Sequence, residues 1–268
     1  MGEDPNVWAK HLGPEMILVN SAGNSGRAYA EQPGTLATAT DAKGNLILGG
    51  RVLIAGSWDI DKNAISTFSN RAGSICRNVQ NGQCLDKYRV SDFYILAPGN
   101  AFTASKTGDA YTIQTGTSQA AAVVSGSVAV INQMWPYMKG ENIVKLLTAT
   151  ANKDLPGYSK EVHGQGLLDL ERATRPVGNL GIPTTGRTGK TALSGGFSTN
   201  TSGGLSAISS KLSSVMVTDD FDRDYYVDLS NTANNKRPRA DLNPIAKANF
   251  YYSYNPYNKL NSYSFIWC

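Results

Sequence analysis

Residues 116–126 read G-T-S-Q-A-A-A-V-V-S-G, and the chain runs on to Met134 without a charged side chain. The run is rich in small residues and continuous, and Ala is the best helix former among them. The absence of a polar stripe places such a helix inside a larger body. The pattern predicts a buried helix over residues 118–134. Gly126 within it costs about 1 kcal/mol relative to Ala, so a close contact with a neighbouring helix is expected there. Ser118, at the mouth of the helix, has two possible tasks. Its hydroxyl can cap a free backbone N–H. It can also serve as a nucleophile where the helix dipole and free N–H groups stabilise developing negative charge.

Three short apolar runs precede this helix in the sequence: residues 16–20, 51–57 and 93–97. Each is bounded by turn residues and reads as a buried, parallel-type strand. Residues 5–12 read as a helix ahead of the first strand. Residues 141–148 place Ile143, Val144, Leu146 and Leu147 on one helical face. Strands alternating with helices predict an α/β fold, a parallel sheet flanked by helices. The composition shifts near Pro176: residues 1–175 carry 16 basic and 15 acidic side chains, residues 176–268 carry 9 and 6. The second stretch is rich in Gly, Ser, Thr and Asn and holds seven of the 13 tyrosines. It reads as a C-terminal extension of β and irregular character packed on the first domain, with strands at residues 213–218 and 225–229.

Composition removes several function classes. With 41% apolar and 17% charged residues in 268, the chain can fill a core, which excludes wholesale disorder. A net charge of +4 with no clustered basic face argues against a nucleic-acid binder. No run of about 18 apolar residues is present, so no transmembrane segment is expected. The opening MGEDPNVWAK lacks the basic and apolar regions of a signal peptide. Only two histidines, His11 and His163, occur, and Asp59 and Asp61 have no ligand spacing around them. No metal site and no cofactor are expected. Cys76 and Cys84 bracket a loop whose Asn81-Gly82 pair signals a turn. In an oxidising compartment they can form a disulfide; otherwise they are two free, partly buried thiols. Cys268 is the last residue.

The run 21–26, S-A-G-N-S-G, follows the first predicted strand. Asn24 between two glycines suits a turn, and its amide can also donate to an oxyanion. The motifs then come in order: V-N-S-A-G-N-S-G, F-S-N-R-A-G, L-A-P-G, G-T-S-Q-A-A-A-V-V-S-G and G-Q-G-L-L-D-L. This order, from about residue 5 to residue 175, resembles the C-terminal half of the catalytic domain of subtilisin-like serine proteases, the subtilases. The flavour is that of bacterial secreted or autotransporter members, from G-L-L-D-L-E-R-A-T-R-P-V-G and V-T-D-D-F-D-R-D-Y. The resemblance implies a partial subtilisin-like fold. It makes Ser118 the nucleophile and Asn24 the side-chain donor of the oxyanion hole, paired with the Ser118 backbone N–H. Ala22 and Gly23 would line the primary specificity pocket, with Gly116 and Thr117 beside the substrate. Ala97, Pro98 and Gly99 would form a structural strand end near the site.

The sequence also departs from the family pattern. Gln119 and Ala122 stand where the family usually has Met and Pro. Family triads run Asp, His, Ser along the chain, yet only 23 residues precede Asn24. His11, in A-K-H-L-G-P, lacks the family's H-G-T-type context, and His163 reads as structural. Three explanations stand: a fragment, a split enzyme whose missing N-terminal half acts in cis or in trans, or a non-catalytic relative. The leading expectation is a serine endopeptidase acting on protein or peptide substrates, inactive as an isolated chain. A binding or surface-display module, with Ser118 as a helix cap only, is the alternative. By family, the location is secreted, periplasmic or on the outer cell surface.

Overall fold

A computed structural model describes residues 4–75, 79–81, 83–84, 86–104, 111–183, 190–192 and 214–227. The chain divides into two compact units, with the boundary after Leu170. In the first, α1 (Pro5–His11) begins with Pro5, whose missing N–H is no loss there, and Asp4 accepts from the Asn6 N–H at 2.9 Å. Then follow β1 (Leu18–Ser21), α2 (Glu31–Thr38), β2 (Val52–Asp59) and β3 (Ala64–Ile65). The hairpin of β4 (Val79–Gln80) and β5 (Gln83–Cys84) precedes α3 (Val90–Phe93) and β6 (Tyr94–Pro98). A second hairpin, β7 (Asn100–Ala104) and β8 (Tyr111–Thr115), leads into α4 (Thr117–Met134). The unit continues with α5 (Gly140–Thr150) and α6 (Lys160–His163).

The central sheet is parallel around β2: β1 pairs on one edge of it and β6 on the other, with Asn20 opposite Ile54 and Ile54 opposite Tyr94. The short β3 adds antiparallel pairing at the end of β2. Residues 52–58 of β2 are all buried. That is why V-L-I-A-G-S-W shows no polar alternation: both faces of the strand are covered. The helix α4 packs on β1, β2 and β6, α2 packs on β2, and α5 buries Ile143, Val144, Leu146 and Leu147. The fold is therefore α/β, a parallel sheet flanked by helices, as the strand and helix spacing predicts. The C-terminal ends of the parallel strands carry the loop after β1 and the Gly99 turn after β6, where open α/β sheets keep their functional groups.

One expectation about the small residues changes. The close helix contact expected at Gly126 is absent: Gly126 is exposed, and a Cβ built there meets nothing within 4 Å among the described residues. The glycine is then a plain propensity cost. Gly126→Ala is expected to stabilise the chain by about 0.5–1 kcal/mol. A melting temperature that falls in this variant would show that the glycine answers a contact after all. The Asn81-Gly82 signal does yield a hairpin, with Asn81 at φ 51° and Val79 opposite Cys84. Cys76 and the Cys84 side chain lie outside the described residues, and so does their pairing.

The second unit begins within α7 (Leu170–Thr174) and holds an antiparallel sheet in the order β10-β9-β11-β12. These strands are β9 (Gly181–Pro183), β10 (Lys190–Ala192), β11 (Val215–Thr218) and β12 (Asp224–Val227). The hairpin of β11 and β12 is built on a fully buried ion pair. Arg223 donates Nε and Nη2 to Asp219 Oδ2 at 3.0 and 2.6 Å. Its remaining donors reach the carbonyls of Ala173 and Arg175. Asp219 also accepts from the N–H groups of Val177, Phe221 and Arg223. A buried pair survives desolvation only when its remaining hydrogen-bonding capacity is met in this way.

Candidate active site

The first residue of α4, Thr117, is fully buried, whereas Ser118, the second, is exposed. The N-cap is Gly116, which makes no side-chain cap bond. The cap reading of Ser118 therefore fails, because a cap precedes the first helical residue and Ser118 follows it. Among the described residues, no imidazole or carboxylate hydrogen-bonds the Ser118 hydroxyl. What satisfies the start of the helix instead is Asn24, which reaches in from the loop after β1. Its Oδ1 accepts from the Thr117 N–H at 2.9 Å and from the Thr117 hydroxyl at 2.8 Å. The same hydroxyl accepts from the Gly23 N–H at 3.2 Å. Thr117 thus spends its side chain on holding the loop.

This lock orients the Asn24 amide. An N–H donor faces an acceptor, so Oδ1 must be the atom turned to Thr117, and Nδ2 is the atom left over. A Cβ built on Gly116 would sit 3.4 Å from Nδ2 and 2.8 Å from Gln119 Oε1. Glycine there keeps the space beside the helix start open. Gln119 is drawn the other way, its Nε2 donating to Gln114 Oε1 on β8 at 3.1 Å. With Ala122 in place of a proline, α4 runs unbroken through its 18 residues. The arrangement offers an accessible hydroxyl at the positive end of a long helix, with an oriented amide beside the N-cap.

The other residues singled out in the sequence fall in distinct places. Ala22 is buried at the end of β1, and its N–H donates to the Ala55 carbonyl at 2.9 Å. Gly23 has φ +100°, a conformation that L side chains rarely adopt. Gly99 follows β6, and a Cβ on it would overlap the Ser57 hydroxyl. His11 is exposed at the end of α1. Asp59 is tied to Lys62, Oδ2 to Nζ at 2.9 Å. The sequence reading missed Asn70, in F-S-N-R-A-G, which bonds to the Ala22 carbonyl and to the Ser25 and Arg27 N–H groups. It also missed the hairpin of β7 and β8, despite the alternation in Y-T-I-Q-T.

His163 is buried between Trp58 and Tyr158, with ring centroids 6.1 and 5.8 Å away. Burial lowers its pKa below the ordinary 6.5; the Ser159 backbone works against that shift, and the Arg71 charge adds to it. The folded chain therefore binds fewer protons at His163 than the unfolded chain in the window below pH 6.5. Its stability contribution is full above that pH and is lost as pH falls toward the folded value. The melting temperature of wild type should drop more steeply from pH 7 to pH 5 than that of His163→Gln, which keeps an acceptor and does not titrate. Parallel pH profiles for the two proteins would remove His163 from the explanation.

The geometry can be set beside known proteins. The family model for the subtilase family matches residues 4–167, more than half of the chain. Among solved structures, the self-cleaved protease domain of PatA is similar at 21% identity and a TM-score of 0.45, over 64% of this chain and 55% of that one. The prenylagaramide maturation protease PagA is similar at 22% identity and a TM-score of 0.41, over 59% and 48%. The CspB protease of Clostridium perfringens has 27% identity and a TM-score of 0.36, over 46% and 26%. The chain spans about half or less of the length of these proteases. No curated protein matches it. With the ordered motifs, the parallel sheet and the extent of the family match all in agreement, the chain belongs to the subtilase family.

Proposed function

We propose that this chain carries the nucleophile and the oxyanion side of a serine endopeptidase. Ser118 attacks a peptide carbonyl, Asn24 Nδ2 and the Ser118 backbone N–H hold the tetrahedral oxyanion, and water releases the acyl group. The observation that supports this is the lock between Asn24 and Thr117, which frees an amide donor beside an exposed serine hydroxyl. The segment of Ala22 and Gly23 lines the primary specificity pocket, and Gly116 and Thr117 lie beside the substrate. The histidine that takes the Ser118 proton, and its aspartate, come from outside the described residues, in cis or in trans. Without them the hydroxyl is a weak nucleophile, and the 268 residues alone are inactive. The protein works outside the cytoplasm, secreted, periplasmic or on the outer surface, where Cys76 and Cys84 can pair.

The test is labelling with a fluorophosphonate probe, together with cleavage of a peptide substrate. Both are run on the chain alone and on the chain joined to an N-terminal half bearing the family Asp and His. Reaction at Ser118 only in the joined form is expected. Rapid labelling of the chain alone would overturn the need for the added half. No reaction in a folded, joined form would favour the binding or display module. Mass spectrometry of non-reduced peptides from exported protein reads the pairing of the two cysteines.

A further inference from the structure

We infer that Asn70 is the positioning residue for Asn24, a step that rests on the oxyanion reading above. The loop 22–27 has no regular secondary structure, and Asn24 is exposed within it. Left to itself, such a loop would spread the Asn24 amide over many orientations. Asn70, buried beneath it, removes that freedom. Its Nδ2 donates to the Ala22 carbonyl at 2.9 Å. Its Oδ1 accepts from the Ser25 N–H at 3.2 Å and the Arg27 N–H at 2.9 Å. Its backbone N–H donates to the Gly23 carbonyl at 2.9 Å. One residue therefore holds both flanks of position 24 while Thr117 holds the side chain itself. The approach is so close that a Cβ on Gly23 would lie 2.5 Å from Asn70 Nδ2.

Asn70 is in turn anchored from the core. Its carbonyl accepts from the Tyr94 hydroxyl at 2.7 Å and from Ser69 Oγ at 3.0 Å. Tyr94 is fully buried on β6, and burial pushes its phenol far up, so it stays a donor. A Cβ on Gly56 would overlap that hydroxyl, so the glycine of β2 makes room for it. A continuous set of bonds thus runs from the sheet through Tyr94 and Asn70 to the loop. Precise donors need such support, since a loose shell leaves a site present but badly aimed.

Amide hydrogen exchange, followed by NMR on the 268-residue chain, tests this without relying on activity. The probes are the Thr117 N–H, whose acceptor is Asn24, and the Gly23 N–H. Asn70→Asp keeps the acceptor toward Ser25 and Arg27 but loses the donor toward Ala22; Asn70→Ser loses both. In each, exchange at Thr117 and Gly23 should quicken about tenfold, with the Leu146 and Leu147 amides of α5 unchanged. Asn24→Ala serves as the comparison: it should release Thr117 and leave Arg27 protected. Unchanged exchange at Thr117 overturns the inference. So does equal acceleration everywhere, or a failure of both Asn70 variants to fold, since each makes Asn70 a general fold residue. A Ser118 that never reacts would sink the catalytic reading and leave this result standing.

Discussion

Ser118→Ala is expected to lower kcat by about 10⁶ in the form of the protein supplied with its histidine and aspartate, a magnitude carried over from subtilisin, itself a member of this family. The loss is large because no other group can take over. The nearest alternative hydroxyl belongs to Thr117, one residue earlier, and it is fully buried and engaged by Asn24 and Gly23 in both of its roles. The fold should survive the change. Ser118 is exposed at the second position of α4 and caps nothing, and Ala is the better helix former. An inactive protein that melts at or slightly above the wild-type temperature is the expected pair of results. Turnover that persists in the variant would mean that another residue is the nucleophile.

The parts of this architecture legible in the sequence are those set by burial. The apolar run of β2 is continuous because its surroundings are, and continuity survives in a one-dimensional reading; α4, read as buried throughout, buries one face and exposes Ser118, Gly126 and Val130. Motif order draws attention to Ser118 and Asn24, and the structure sets the Asn24 side chain on Thr117, the residue before Ser118. What the sequence hid were relations between distant residues. Nothing local in F-S-N-R-A-G says that Asn70 reaches back 48 positions to the Ala22 carbonyl. Nor does G-T-S show that position 117, and not 118, donates the bond that closes the helix start. Gly126 misled for the opposite reason: a glycine in a buried-looking helix suggests a close contact, and here the residue faces outward. The hairpin of β7 and β8 is hard to read in the sequence because its period-2 alternation is short and carries polar residues on both sides.

Asn24 is where the structure sharpens the chemistry most. Removing an oxyanion donor should lower kcat by roughly 10²–10³, about 2.7–4 kcal/mol of transition-state stabilisation, again a subtilisin magnitude. The oxyanion exists only after attack, so KM should barely move. Asn24→Ala alone cannot isolate that effect, because Oδ1 also satisfies the Thr117 N–H and hydroxyl. Its loss strips the helix start of an acceptor and should cost about 1 kcal/mol of stability as well. Asn24→Asp separates the two tasks. The carboxylate keeps an acceptor for Thr117, and the positive end of α4 favours its charge. It supplies no donor, and it sets a negative charge beside the place where the oxyanion would form. The expected signature is a melting temperature close to wild type with a kcat loss at least as deep as that of Asn24→Ala. If Asn24→Asp kept both its stability and its kcat, Asn24 would be a loop anchor alone, and the oxyanion donor would have to be sought elsewhere.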